Sequence, residues 1–297
     1  MIVRSHQNWL RMLFVWDGSV LRSIVPQLVF LFFVAMFALV TDGTLFGEKV
    51  PLNTTPFTLI GLTLAIFLAF RNNASFERYI EARTLWGGAL ISSRALVSTV
   101  IAYVPEDYPG FDRQAFVRRV IAFSTLLKHQ LRHTEPRANL PVQPDLHYPA
   151  VAVVHELRER LAKLVQKGAV DHTVAWTWNR QLDELMNVVG GCERIASTPI
   201  PFPYAVLLHR TVYTYCLMLP FGLVDSIGIA TPLISVFLSY TLLALEAIAG
   251  QIAEPFGTSP NSLALDSIVR HIERSLLEMC GEPVPPPVTV KAHYELT

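Results

Sequence analysis

Two histidines, His129 and His133, stand four residues apart, the spacing at which one helix face offers both imidazoles to a metal ion. No third ligand accompanies them, so a solvated helix face is the simpler reading and no metal is expected. Glu77, Arg78, Glu81 and Arg83 alternate in sign. They suit an ion ladder along a pore or, more simply, a helix surface laced by its own ion pairs. His209 and Arg210 stand at the edge of an apolar run, where their polar ends can reach lipid headgroups. The chain has no Gly-rich phosphate loop, no nucleophile elbow and no paired carboxylates inside an apolar run. An enzyme is therefore not expected, and neither is a cofactor. Cys192, Cys216 and Cys280 lie far apart and form neither a metal pattern nor a disulfide framework. A bacterial inner-membrane or cytosolic setting suits them better than secretion.

The sharper pattern is apolar. Leu62, Ile66 and Phe70 fall at i, i+4 and i+8, on one helix face. Beside them runs a row of small residues, Gly61, Ala65 and Ala69, which lets helices approach closely in a membrane. In a ring of identical helices the small row would meet a neighbour and the large row would face an axis. A ring of Leu, Ile and Phe side chains is a hydrophobic constriction, the kind that gates by dewetting. The competing reading leaves all six against lipid or other helices.

These residues need a membrane element to carry them, and composition supplies it. Of 297 residues, 52% are hydrophobic and only 16% charged, against roughly 25% charged in soluble domains; mean hydropathy is +0.38. Basic and acidic residues balance at 24 each, which removes the usual footprint of nucleic-acid binding. Four long apolar runs span residues 24–40, 54–70, 204–224 and 227–245. Each approaches the roughly 17–25 residues of a membrane-spanning helix. The segment Trp9–Trp16 reads as an interfacial helix and no cleavable signal is evident. With four spans, 22 Lys and Arg fall on one side and only Lys49 on the other. The positive-inside rule then puts both termini and residues 71–203 in the cytoplasm.

The expected organisation is an interfacial helix and spans one and two in residues 1–80, a cytoplasmic helical region at 81–203, spans three and four at 204–256, and a cytoplasmic helix with a proline-rich tail at 257–297. Within the cytoplasmic parts, helices are expected over 84–104, 112–133, 151–166, 171–189 (stopped by Gly190-Gly191) and 259–279, with a proline-rich loop at 136–149. Pro220 and Pro232 are read as kinks inside spans. No strand and no internal repeat is expected.

Four motifs carry a resemblance. Phe70-Arg-Asn-Asn-Ala-Ser-Phe-Glu-Arg-Tyr79, Gly190-Gly-Cys-Glu-Arg194, Leu219-Pro-Phe-Gly-Leu223 and Glu254-Pro-Phe-Gly257 occur in one order over roughly residues 1–280. Together they resemble the bacterial branch of the bestrophin family. The resemblance implies an all-α membrane protein with four transmembrane helices per subunit and a helical cytoplasmic region, assembled as a homopentamer around a central pore. It assigns the narrow neck of that pore to Leu62, Ile66 and Phe70. It assigns a second constriction, the cytoplasmic aperture, to the helix before Gly190-Gly-Cys, with Thr173 or Trp176 as the best placements. Arg71, Asn72, Asn73 and Arg78 would link neck to cytoplasmic body. The animal branch binds calcium through acidic residues directly after this fourth motif. Thr258-Ser-Pro-Asn-Ser262 holds no carboxylate, so no such clasp is expected. The implied function is passive conduction of monovalent ions. The bacterial branch favours sodium-like cations, with chloride as the alternative and a non-conducting scaffold as the rival. Expected partners are four identical subunits, membrane lipid and the permeating ions, with no nucleic acid.

Overall fold

A computed structural model describes residues 1–2, 8–13, 15–16, 18–45, 48–49, 54–135, 146–290 and 294–297. Arg4, Lys291, most of the 136–149 loop and part of the 41–53 loop therefore lie outside the described residues. The chain forms two compact units. One comprises residues 4–78 and 199–254; the other comprises 1–3, 79–198 and 255–297.

The first unit is apolar and helical. It holds the five-residue α1 (Trp9–Leu13), α2 (Leu21–Val40), the start of α3 (Thr54–Tyr103), α7 (Phe202–Ile227) and α8 (Thr231–Ile252). Residues 21–40, 55–103 and 202–252 are long and apolar enough to cross a membrane; the last contains both α7 and α8. Among these helices α2, α7 and α8 pack on one another. Small residues allow it: Ala35 and Ala38 of α2 are fully buried, as are Thr231, Ser235 and Ser239 along one face of α8. Leu64 and Leu68 of α3 join Leu208, Val212 and Leu243 in a common core.

The sequence expectation shifts in three places. The break between the last two apolar helices falls not at 225–226 but at a 3-10 turn, Gly228–Ala230, where Gly228 adopts φ +50°. Pro232 then occupies the first turn of α8 and causes no kink, because the amide it lacks would be unpaired there anyway. Pro220 does sit inside α7, and so does Pro26 inside α2. A two-residue antiparallel hairpin, β1 (Thr44–Leu45) with β2 (Glu48–Lys49), and a bridge between Ile2 and Glu295 depart from the strand-free expectation.

The second unit is a helical body built from the remainder of α3 with α4 (Arg113–Arg132), α5 (Pro149–Gln166), α6 (His172–Ser197) and α9 (Leu265–Met279). Trp86, Phe116, Phe123, Leu157, Trp178 and Leu182 fill its core. Its helix ends follow the sequence. Asp112 caps α4 by accepting from the Ala115 amide at 2.9 Å. Gly168 turns left-handed at φ +70° after α5, and the Ala169 amide reaches back to the Leu164 carbonyl. Two boundaries differ. Helix α6 runs straight through Gly190 and Gly191 to Ser197. A Cβ on Gly191 would lie 2.8 Å from both methyls of Leu85, so this glycine serves close helix packing and does not end the helix. Helix α9 starts at Leu265, not 259, because residues 255–263 are closed by turns such as Leu263 N–H to Pro255 carbonyl, 2.9 Å.

Candidate functional site

Leu62, Ile66 and Phe70 are 61%, 47% and 67% exposed. The intervening Leu64 and Leu68 are buried against α7 and α8. At about 100° per residue, the two buried leucines lie roughly opposite the three exposed side chains. The early part of α3 thus has a packed side and an open side, and the open side carries large apolar groups. Water-facing helices show the reverse pattern. The small row beside it is only partly free. A Cβ on Gly61 would come within 2.8 Å of the Tyr215 hydroxyl of α7, so that glycine is already used within the chain. Ala65 and Ala69 remain exposed.

The polar residues that follow divide between the same two sides. The Arg71 guanidinium turns to the packed side and meets Glu246 of α8 at 3.2 Å, with both side chains largely buried. His209 Nδ1 reaches the same carboxylate at 3.6 Å and its ring lies 4.3 Å from that of Tyr213. His209 is therefore held by protein, whereas Arg210 stays exposed. Asn72 donates to its own helix at the Leu68 carbonyl, 2.9 Å. The Arg78 Nε donates to the Ala253 carbonyl at the end of α8, 3.2 Å. Asn73 alone of this set is exposed on the open side, with Glu77 one turn on.

The residues expected at an aperture lie in the other compact unit. Thr173 and Trp176 occupy the first turns of α6 and are both exposed, Trp176 at 65%. Asp171 caps that turn. Hydrogen bonds from the Thr173 amide and hydroxyl hold its carboxyl below the usual range.

The second unit also explains two motifs. In Gly190-Gly-Cys-Glu-Arg194, Gly191 admits Leu85, Glu193 accepts from Gln130 at 2.6 Å, and Arg194 pairs with Glu81. Glu81 is thus tied to α6, which removes it from a free ion ladder. Cys192 is fully buried, and burial, helped by the Glu193 and Glu81 charges, pushes its thiol up to about 12. It is inert at neutral pH. Around Glu254-Pro-Phe-Gly257, Arg132 donates to the carbonyls of Phe256 and Leu263, each at 3.3 Å, and pairs with Asp266 at 3.1 Å. Lys128 meets the other Asp266 oxygen at 2.7 Å. This cluster was not anticipated, because its members are separated by more than a hundred residues. The only local signal is Asp266 in the first turn of α9, where a carboxylate suits the helix dipole. His129 bonds Thr134 through Nδ1 at 2.8 Å, and His133 is a left-handed cap at φ +50°. Among the described residues no group of three or more His, Cys, Asp or Glu is placed to hold a metal.

The family described as "Bacterial/Fungal Bestrophin protein" matches residues 1–278. The chain belongs to the bacterial/fungal bestrophin family. It is 44% identical to a voltage-dependent anion channel-forming protein of Ralstonia nicotianae, over 95% of both chains. It is 41% identical to the protein of that description from Escherichia coli K12, over the full length of both. Among solved structures, a bacterial bestrophin homologue from Klebsiella pneumoniae superposes with a TM-score of 0.82 at 37% identity, covering 88% of this chain and 99% of that one. The fold of this bestrophin is therefore shared with a structure already solved.

Proposed function

We propose that this bestrophin is a homopentameric membrane channel that passes monovalent ions through an apolar neck lined by Leu62, Ile66 and Phe70. One observation carries the reading: three large apolar side chains stand exposed at four-residue spacing on the side of α3 that faces away from its own packed core. A five-fold ring would turn that open side into a narrow dewetting passage. Family membership, and relatives named as channel-forming proteins, support conduction over catalysis. Each subunit would cross the membrane four times, by α2, the first part of α3, α7 and α8. The stretch Thr54–Arg78, at 1.5 Å per residue, reaches about 37 Å, more than the roughly 30 Å hydrocarbon core. The body made of residues 79–198 and 255–297 would lie in the cytoplasm, as would both termini, with Thr173 and Trp176 at its outlet. Lipid would cover α2, α7 and α8.

Charge selectivity has two readings. The bacterial branch of the family favours sodium-like cations. The names of the relatives, anion channel-forming proteins, favour chloride. The test is recording of purified protein in planar bilayers under a steep NaCl gradient, wild type beside Ile66→Ala. The variant should carry a larger current, because the ring loses its bulk. Equal currents would remove Ile66 from the constriction, and silence from both in a verified pentamer would favour a scaffold.

A further inference from the structure

Counting from Leu62 at about 100° per residue, Ile66, Phe70, Asn73 and Glu77 fall within roughly an 80° stripe, the open side of α3. Arg71 and Arg78 fall on the opposite side of the same helix. Their geometry agrees: Arg71 is bound to Glu246 and Arg78 to the Ala253 carbonyl. Glu77 is exposed and makes no hydrogen bond or ion pair among the described residues. The stretch after Phe70 thus turns its two cations inward, against α8, and leaves one carboxylate on the face that carries the neck.

We infer that Glu77 is the residue that sets the charge preference of this channel, acting as a ring of carboxylates that gathers cations and turns anions away at the inner mouth of the neck. The inference rests on the proposed pore. An apolar constriction has no preference of sign by itself; the charges flanking it impose one. Glu77 lies seven residues past Phe70, about 10 Å along the helix axis. That is near the Debye length of about 8 Å at physiological salt, so the field of the ring reaches the end of the neck. Between them Asn73, exposed on the same stripe, offers a neutral amide oxygen to an ion shedding water. The chain as a whole is charge-balanced, so the preference is local, made by where three charges point.

The experiment is the reversal potential of purified pentamer in planar bilayers under a NaCl gradient, for wild type, Glu77→Gln, Glu77→Lys and Ile66→Ala. Size-exclusion profiles confirm that each variant assembles. Wild type should reverse near the sodium equilibrium value. Glu77→Gln should lower the sodium-to-chloride permeability ratio at least about tenfold, the lower end of what a charged cleft does to local counter-ion concentration. Glu77→Lys should carry the reversal towards chloride. Ile66→Ala should raise current without moving the reversal. If both Glu77 variants keep the wild-type ratio while Ile66→Ala raises current, the inference fails and the pore stands. A chloride-selective wild type also overturns it. Silence from every assembled variant overturns the inference together with the pore.

Discussion

Helix α3 passes through two environments, and the contrast between its halves is instructive. From Thr54 to Arg78 it leaves Leu62, Ile66 and Phe70 exposed. From Tyr79 to Tyr103 it buries Ala82, Trp86, Ala89, Leu96, Val97 and Val100 completely. Both halves are apolar enough to be continuous helix, and neither contains a proline after Pro56. In the second half the apolar groups are spent on a core made by the same chain. In the first half only one side, with Leu64 and Leu68, is used in this way; the stripe left exposed on the other side marks a surface with a further use.

The largest expected effect separates those uses. Trp86 is fully buried in the helical body, so Trp86→Ala should lower stability by roughly 3–5 kcal/mol, through lost transfer energy and the cavity left behind. Phe70→Ala removes a side chain of similar character from an open face, and should change stability by only about 0.5 kcal/mol while altering current. Thermal or denaturant unfolding in detergent, run beside bilayer recording, reads both. A large stability loss from Phe70→Ala would mean that the open face is packed in the assembled protein and would break the contrast.

Within the first half, Arg71 is held by its pair with Glu246 of α8. Both side chains are largely buried, so removing one partner strands the other charge. Either Arg71→Leu or Glu246→Leu should cost about 3–5 kcal/mol, and the double variant should cost less than either alone. Unfolding of the three variants checks this. Simple additivity would show that the two residues act through different neighbours. His209, 3.6 Å from Glu246, is the first alternative partner for the carboxylate.

The helical body has a charge cluster of its own, around Asp266. Burial alone would raise the Asp266 carboxyl, but the hydrogen bond and charge of Lys128, with those of Arg132, outweigh it and hold the group below its ordinary value. A carboxyl lowered on folding contributes stability that is present above its unfolded value of 3.8 and is lost as pH falls through the folded one. Wild type should therefore lose the stability contributed by this site on acidification below about pH 4. Asp266→Asn should be less stable at neutral pH and show a flatter acid limb. An unchanged acid limb would place the pH dependence elsewhere.

Much of this was legible in the sequence because it is local. Apolar run length gave the long helices. Four-residue spacing gave the open stripe of α3. Asp112 and Gly168 marked helix ends by side-chain and backbone chemistry that needs no tertiary partner. What was not legible depends on partners distant in the chain. The Arg132–Asp266 cluster spans 134 residues, and no spacing rule links them. The early stop assigned at Gly190-Gly191 fails for the same reason. Glycine is read as a breaker from local propensity, but Leu85, far away in sequence, decides what Gly191 is for.

That pair of glycines gives the smallest and cleanest test. Gly190 and Gly191 are consecutive in one helix, so both pay the same conformational cost, and Ala at either position should recover up to about 1 kcal/mol of helix propensity. Their surroundings differ. A Cβ on Gly190 meets nothing within 4 Å, whereas one on Gly191 would sit 2.8 Å from both Leu85 methyls. Gly190→Ala should therefore stabilise by about 0.5–1 kcal/mol. Gly191→Ala must push Leu85 to another rotamer and should lose roughly 1–3 kcal/mol to overpacking, leaving it net destabilised. Leu85→Ala combined with Gly191→Ala should remove the clash and recover part of that loss. If the two single variants unfold alike, Leu85 yields freely, and close α3–α6 packing is not why Gly191 stands where it does.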